Sequence, residues 1–326
     1  MKNLNFFPFE LFKKVKLKRC GGKLKEVSEI PTSLKHPLIK SKNGNILAYK
    51  SGARSAIYYK NGKSYRIKGC GLNDEGFVYE EYKVYIGENH IIKRRRLRGC
   101  QYIETCKKEL EVSRKLGAIF KNNHMFFPNK PLGYYIYETD LKEKPCASLY
   151  ETSGEIRLND DLLFFLESNL TKYNTHIEDL FQLYYKFGLQ VGYIKKIMND
   201  TRYLWGTYFG IDDRIFHSNA HINNIVVSKI NNNLVLGPLD FDLAYLPNEL
   251  NKKSFLHKVK DENITLEASI KGWKTFTPPL KICNYIKDSK IEKIRCKLRN
   301  QLFNGYLNGS ESYPDQIKFS ELVKFF

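Results

Sequence analysis

Two neighbouring segments concentrate polar side chains that could bind a metal ion and the phosphates it accompanies. The first is HSNAHINNIVV at 217–227, and the second is LGPLDFDLAY at 236–245. Asn224 directly precedes one short apolar run and Asp240 follows another, so both side chains are expected at the mouth of one β-hairpin. Mg²⁺ is usually held by one or two protein oxygens, with phosphate oxygens and water completing its shell. The alternative interpretation is a polar turn in which the Asn residues cap a buried hairpin.

Hydrophobic periodicity divides the rest of the chain into an extension and two lobes. Residues 1–45 are basic and carry no strong period, so they are expected to form an N-terminal extension. Residues 46–152 contain short alternating runs typical of strands, with a hairpin signal at Asn61-Gly62. Residues 153–326 are dominated by helical spacing. The sequence therefore predicts a two-lobed α+β fold, with a β-rich N-lobe containing one helix and a mainly helical C-lobe.

Two helices have sequence signals strong enough to place them. In YIETCKKELEVSRKLG, apolar residues recur at helical steps, and Gly117 is a helix C-terminal signal, so the N-lobe helix is expected to end there. The C-lobe contains a longer apolar stripe at three- and four-residue steps. Its members are Leu180, Leu183, Tyr184, Phe187, Val191, Ile194 and Met198. Such a stripe is expected to face a core.

The polar segments and the hairpin between them resemble the catalytic region of the protein-kinase-like phosphotransferases. The aminoglycoside-phosphotransferase and RIO-like branches of that family carry H-x-D-x-H-x-x-N, followed by a hairpin that ends in D-F-G or D-x-D. His217, His221, Asn224 and Asp240 match this pattern in order and spacing. The resemblance implies a two-lobed kinase-like fold with ATP and Mg²⁺ as cofactors. It also implies Asn224 and Asp240 as metal ligands, with Asp242 as a second acidic contact.

Residues upstream match the parts that hold the nucleotide in this family. The turn over the phosphates would be made by backbone N–H groups of Gly52, Ala53, Arg54 and Ser55. Lys68 ends a strand, as the family's lysine does, with Glu109 as its favoured ion-pair partner and Glu104 as the alternate. Glu151 lies at the centre of ASLYETSG, where the family's hinge contacts adenine. Taken singly, Lys68 could be a surface lysine and Glu109 an exposed acid, so the interpretation depends on the common order of the elements.

Asn219 stands where the family has its catalytic aspartate. An amide can orient a hydroxyl, but it cannot accept the proton as a carboxylate does. Three alternatives follow. His221 acts as the base; or the protein is a slow or unusual transferase, including one that moves AMP as SelO-like relatives do; or it is a pseudokinase that binds nucleotide without transfer. For an active enzyme, the expected catalytic residues are Asn219, His221 and Lys68.

A large positive charge favours a polyanionic partner. Lys and Arg number 54 against 35 Asp and Glu, which leaves a formal net charge of +19. A charge of this size attracts RNA or tRNA, and KRRRLRG at 93–99 is the densest cluster. A composition set by genomic bias is the alternative. The predicted acceptor is therefore a protein or RNA hydroxyl, and the non-enzymatic alternative is a nucleotide-binding scaffold or RNA-binding adaptor.

Cysteine spacing and apolar run lengths argue against two further classes. The seven cysteines form no C-x-x-C pair, which argues against a zinc–thiolate site and for reduced thiols. The longest apolar runs fall far short of the roughly 20 residues that span a bilayer, and the N-terminus lacks a signal-peptide pattern. The protein is accordingly expected to be soluble and cytoplasmic, with no membrane partner.

Overall fold

A computed structural model of the 326-residue chain groups into two compact units. It describes residues 14–18, 22–26, 45–52, 54–60, 62–70, 78–86, 90–137, 144–154, 156–209, 216–272, 290–311, 314 and 316–326. The first unit holds the described residues of 12–114 and 129–153, and the second those of 115–128 and 154–326. Strands dominate the first and helices the second, so the predicted α+β class is confirmed. The functional division of the chain at residue 152 stays a prediction.

The first unit is built on an antiparallel sheet. Its strands are β1 (Lys14–Lys18), β2 (Gly22–Glu26), β3 (Asn45–Lys50), β4 (Ser55–Lys60), β5 (Lys63–Lys68), β6 (Val78–Ile86), β7 (His90–Arg98), β8 (Gln101–Tyr102), β9 (Asn129–Tyr137) and β10 (Pro145–Thr152). The main sheet runs β1-β3-β4-β5-β10-β9-β2, with β8 also paired to β10, whereas β6 and β7 pair with each other. Two strands from the predicted N-terminal extension thus lie at the two ends of the main sheet.

The predicted hairpin joins β4 to β5 and sets the faces of the sheet. The two strands pair from Ser55 opposite Lys68 to Lys60 opposite Lys63. Gly62 has a φ of 76°, which only glycine adopts without strain. Alternate side chains of a strand lie on opposite faces. Lys68 is therefore on the face opposite to Ile67, which belongs to the buried apolar cluster of this sheet.

One helix, α1 (Ile103–Asn122), interrupts the strands. The prediction that it ends at Gly117 is wrong, because it continues for five more residues. Phe120 in this last turn is fully buried, which stabilises the added turn. The helix ends where His124 adopts a φ of 56° and the N–H of Met125 donates to the Phe120 carbonyl at 2.8 Å, a left-handed C-terminal cap.

The second unit contains most of the helices and two small antiparallel sheets. Its helices are α2 (Phe164–Ser168), α3 (Ile177–Asp200), α4 (Lys252–Ile270), α5 (Lys290–Asn308) and α6 (Phe319–Val323), with shorter helical turns at Leu158–Leu163, Leu170–His176 and Ile222–Asn224. Its strands are β11 (Ile156–Arg157), β12 (Thr207–Phe209), β13 (Phe216–Ser218), β14 (Ile225–Ile230), β15 (Asn233–Pro238) and β16 (Ile317–Lys318). One sheet has the order β11-β14-β15-β16, and the other pairs β12 with β13.

The predicted core stripe and the predicted hairpin are both confirmed in this unit. All seven residues of the stripe on α3 are buried. The backbones of α3 and α5 approach closely, since a Cβ built on Gly188 would lie 2.1 Å from the Leu302 carbonyl oxygen. The strands β14 and β15 pair antiparallel, and Asn231 makes their turn with a φ of 55°. Trp205 is a fully buried core residue, and its indole N–H donates to the Leu239 carbonyl at 2.9 Å.

The structure describes five of the seven cysteines. No disulfide joins the described cysteines, Cys70, Cys100, Cys106, Cys146 and Cys296. Burial, together with the nearby Cys146, raises the pKa of Cys100 to about 12, so that thiol stays protonated at neutral pH.

The basic run at 93–99 lies on β7 and the turn after it. None of the described helices combines the length and apolarity needed to cross a bilayer. Ala53, Asn61, Cys20 and Cys283 lie outside the described residues.

Candidate functional site

The first unit contains a buried ion pair between β5 and α1. Nζ of Lys68 lies 2.8 Å from Oε2 of Glu109. The Lys68 residue is 5% exposed and Glu109 only 2%. The alternate partner, Glu104, lies five residues earlier on the helix and faces solvent. The sequence-predicted lysine and its favoured glutamate are thus brought together, and their role in binding nucleotide stays a prediction.

Two further buried polar side chains hold this pair in place. Nε2 of Gln101 donates to Oε2 of Glu109 at 2.5 Å. Oε1 of Gln101 in turn accepts from the Ser148 hydroxyl at 2.5 Å and from the Ser148 N–H at 3.2 Å. Ser148 lies directly opposite Lys68 in the β10–β5 register. The Glu109 carboxylate therefore has two donors on one oxygen, which fixes the position of the lysine amine on the sheet.

The predicted phosphate-covering turn closes over the same end of β5. Gly52 has a φ of 91°, and the Ser51 N–H donates to the Ser55 carbonyl at 2.9 Å. The Arg54 carbonyl accepts from the Gly69 N–H at 2.8 Å, immediately after Lys68. The Arg54 guanidinium donates to the Cys100 carbonyl at 3.1 Å. The turn is thereby tied to the strand that carries Lys68.

The carboxylate of Glu151, the predicted hinge residue, makes a surface ion pair. Its two oxygens accept from Nζ of Lys63 at 2.9 and 3.1 Å. This pair joins the neighbouring strands β5 and β10. The contact engages the side chain, and contact between the hinge backbone and adenine stays a prediction.

Asn219 is the central donor of the polar cluster in the second unit. Its Nδ2 donates to Oδ1 of Asp242 at 2.7 Å and to the Asp240 carbonyl at 3.2 Å. Its carbonyl accepts from Nδ2 of Asn224 at 3.0 Å. The amide therefore links the 217–224 segment to the residues that follow β15. The backbone of His217 lies in β13, opposite Tyr208.

Asp240 has an unusual backbone conformation and a carboxylate close to that of Asp242. Its φ of 68° is in the left-handed region, which non-glycine residues seldom adopt outside functional or turn positions. Carboxylate oxygens of Asp240 and Asp242 lie within 4.8 Å of each other. Between them Phe241 is buried and stacks on Trp205, with ring centroids 6.2 Å apart. This anchor explains how two acidic residues can be held together on either side of an apolar one.

His221 is a neutral ring with little capacity to act as a base. Its pKa is lowered to about 4, chiefly by burial; the nearby Asp240 carboxylate opposes this shift, and the Arg157 charge adds to it. Its Nε2 lies 3.3 Å from Nδ2 of Asn224, so this nitrogen is the acceptor and the proton resides on Nδ1. Nδ1 is buried and has no hydrogen-bond partner among the described residues. The only lone pair of the ring is therefore already used, which does not favour His221 as the base.

Asn224 is brought to the cluster, but its side-chain oxygen is already engaged. Nη1 of Arg157 donates to Oδ1 of Asn224 at 2.9 Å and to the Asn223 carbonyl at 2.6 Å. Arg157 lies on β11 and is 8% exposed. A guanidinium thus lies on the oxygen that the kinase resemblance assigns to a metal ion.

A second buried ion pair, between α3 and α4, is linked by hydrogen bonds to the polar cluster. Nζ of Lys195 lies 2.5 Å from Oε2 of Glu262, and both side chains are buried. Oε1 of Glu262 accepts from the Gly206 N–H at 2.8 Å. The Gly206 carbonyl in turn accepts from the Ser218 hydroxyl at 2.9 Å and the Asn219 N–H at 3.2 Å. Glu262 therefore helps to set the position of Asn219 through one intervening residue, Gly206.

Sequence reasoning missed four of the polar residues that build these clusters: Gln101, Ser148, Arg157 and Glu262. Ser148 has a weak signal, since it is a polar residue inside the apolar run CASLY. Arg157 has one too, because a charged residue between Ile156 and Leu158 interrupts an apolar stretch. Gln101 and Glu262 occur in polar surroundings that do not distinguish a buried residue from an exposed one.

Comparison with known proteins gives remote structural similarity and no match in sequence. No protein-family model and no curated protein matches the chain. Two solved structures of glucosamine kinase are similar to it. The first, a structure described as crystal form B, has a TM-score of 0.37 at 9% identity over 94% of this chain and 84% of that one. The second, a complex with glucosamine, ADP and inorganic phosphate, has a TM-score of 0.35 at the same identity and coverage. Similarity of this degree assigns neither an activity nor a substrate to the present chain.

Proposed function

We propose that this protein is an atypical ATP- and Mg²⁺-dependent phosphotransferase that acts on a protein or RNA hydroxyl. The observation that carries the proposal is the buried Lys68–Glu109 pair, 2.8 Å apart and held by Gln101. A buried ion pair often contributes little net stability compared with apolar residues of similar size. Its position beside a glycine turn supports a role in binding phosphate, for which a fixed amine is suited.

In this proposal, the second unit supplies the metal-binding carboxylates. Asp240 and Asp242 fit one Mg²⁺, since their oxygens lie within 4.8 Å of each other and hard oxygen ligands suit this ion. Bound Mg²⁺ would neutralise charge on the phosphates during transfer. The left-handed backbone of Asp240 supports a functional position, because strain of this kind is concentrated at such sites.

Proton removal in this proposal does not depend on a strong base. Asn219 offers no basic lone pair, and the basic nitrogen of His221 already accepts from Asn224. Phosphoryl transfer depends mainly on positioning and charge neutralisation, so a hydroxyl can lose its proton to solvent as the new bond forms. The acceptor oxygen bonds to the γ-phosphorus, the bond to the β–γ bridging oxygen breaks, and ADP leaves. In the AMP variant the acceptor bonds to the α-phosphorus and pyrophosphate leaves.

A nucleotide-binding pseudokinase or RNA-binding adaptor is the second candidate. It is favoured by the 2.7 Å hydrogen bond from Asn219 to Asp242, which occupies one carboxylate oxygen with a neutral donor. The +19 charge adds support for an RNA partner. Binding of tRNA should then weaken steeply between 50 and 200 mM salt, by roughly 10³-fold or more for six or more phosphate contacts. A flat salt dependence would exclude this partner.

A labelling experiment separates the two candidates. The full chain is incubated with Mg²⁺ and ATP labelled at either the γ- or the α-phosphate, together with protein and RNA fractions. Transfer of the γ-label indicates phosphorylation, and transfer of the α-label indicates AMP transfer. Both should be lost in Asp240→Ala and in Lys68→Met. Label transfer that persists in Asp240→Ala would overturn the enzyme proposal, and nucleotide binding without transfer in the wild type would favour the pseudokinase.

A double-mutant cycle tests whether Lys68 and Asp240 both act on the bound nucleotide. ATP affinity is measured by calorimetry for the wild type, Lys68→Met, Asp240→Asn and the double variant, each with Mg²⁺. Two groups that act on the same triphosphate are expected to be coupled, so the double variant should lose less affinity than the sum of the single losses. Strictly additive losses would contradict this part of the proposal.

A further inference from the structure

The guanidinium of Arg157 is hydrogen-bonded to the side-chain oxygen of Asn224, the atom that the kinase resemblance assigns to a metal ion. Its Nη1 lies 2.9 Å from Oδ1 of Asn224 and 2.6 Å from the Asn223 carbonyl oxygen. Both Arg157 and Asn224 are buried. A permanent positive charge is thus held within hydrogen-bond distance of two oxygens at the start of β14.

The orientation of the Asn224 amide is determined by partners on both sides. Its Nδ2 donates to the Asn219 carbonyl at 3.0 Å and faces Nε2 of His221 at 3.3 Å. Rotating the amide by 180° would place its NH₂ group against the guanidinium and its oxygen against a carbonyl. Both contacts would then be repulsive. Oδ1 therefore points to Arg157.

Strand pairing also fixes Arg157 from the backbone. Arg157 lies opposite Val226 in the β11–β14 register, two residues after Asn224. Its own N–H donates to Oδ2 of Asp161 at 2.8 Å, which anchors the end of this short strand. The contact with Asn224 is thus built into the sheet and does not depend on the chance position of a long surface side chain.

We propose that Arg157 is the resident cation of the Asn224 position, so that Asn224 is not a metal ligand and divalent ions bind at the Asp240 and Asp242 carboxylates. Two cations on one amide oxygen would repel each other strongly in a buried site. This proposal differs from the metal-ligand role that the resemblance implied for Asn224. The inference rests on the proposed function for the identity of the ion, although ion binding can be measured without any nucleotide.

Mn²⁺ binding to the full chain, followed by electron paramagnetic resonance without nucleotide, tests the inference. Arg157→Met removes the charge and keeps an apolar stem of similar length. It should bind one more Mn²⁺ than the wild type, or bind Mn²⁺ at least tenfold more tightly. This gain should disappear when Asn224→Leu is added. Arg202→Met, which removes an exposed arginine of the same unit, should match the wild type. Equal binding in Arg157→Met and wild type, including no binding in either, would overturn the inference.

A second variant covers the case in which Arg157→Met does not fold. In Asn224→Asp, a resident guanidinium would pair with the new carboxylate, so Mn²⁺ affinity should change less than threefold. If residue 224 were a metal ligand, Asn224→Asp would instead tighten Mn²⁺ binding more than tenfold, and this result would contradict the inference. Nucleotide affinity is measured separately on the same samples. Loss of the proposed function, with the expected Mn²⁺ results, would leave the Arg157 assignment standing.

Discussion

The side-chain amide of Asn219 donates to the carboxylate of Asp242, with Nδ2 2.7 Å from Oδ1. The same nitrogen lies 3.2 Å from the Asp240 carbonyl oxygen. An aspartate at position 219 could donate to neither oxygen and would repel the Asp242 carboxylate. The amide thus makes a link that a carboxylate at this position cannot make.

Asn219→Asp should therefore make the stability of the chain depend on divalent ions. Without them, the unfolding free energy should fall by about 1–3 kcal/mol, since a hydrogen bond to a charged group is replaced by repulsion. Adding Mg²⁺ should recover most of this loss, because a cation between the carboxylates removes the repulsion. Denaturant titration in EDTA and in Mg²⁺ measures both effects. Equal stability of the variant and wild type in EDTA would contradict the expectation.

Lys68→Met should lower both stability and nucleotide affinity. The Glu109 carboxylate would be left buried without its counter-ion, which costs about 3–5 kcal/mol. Adding Glu109→Leu should restore most of the stability, since the buried charge is then gone, but it should not restore ATP binding. Urea unfolding and calorimetry separate the two outcomes. Lys63→Met, which breaks the surface pair with Glu151, is the matched control and should change neither property much.

Asp240→Asn should abolish ion-dependent transfer while leaving the fold intact. Asparagine tolerates the left-handed backbone of this position, and its amide removes the charge that a divalent ion needs. Asn231→Ala is the control for the backbone alone. That change should cost about 1 kcal/mol at the hairpin turn and leave label transfer unchanged. Full transfer in Asp240→Asn would remove this carboxylate from the proposed mechanism.

Glu262→Gln should destabilise the second unit and disturb Asn219 indirectly. Glutamine can still accept from the Gly206 N–H, but Lys195 would be left buried and unneutralised, at a cost of about 3–5 kcal/mol. Adding Lys195→Met should recover most of the stability. Lys196→Met, one residue along α3, breaks an exposed pair with Asp200 and should have little effect. A single Glu262→Gln variant as stable as wild type would show that this pair is not needed.

The sequence predicted those parts of the fold that depend on local pattern. The stripe on α3 was readable because a helix repeats every 3.6 residues, and the β14–β15 hairpin because apolar runs flank turn-forming residues. The Gly117 prediction failed because burial of Phe120 outweighed a local stop signal. Glycine costs only about 1 kcal/mol inside a helix, which a buried aromatic ring exceeds.

The sequence by itself determined which residue types could do chemistry and in what order they occur: Lys68, Glu109, Asn219, Asp240 and Asp242. Only tertiary structure decided that Glu109 rather than Glu104 meets Lys68, and that Arg157 reaches Asn224 across 67 positions. Hydrogen-bond partners and burial are set by strand register and packing between distant segments, which a residue's sequence neighbours do not record. For the same reason, the weak basicity of His221 is invisible in the sequence, because it follows from burial and from an amide that already uses its lone pair.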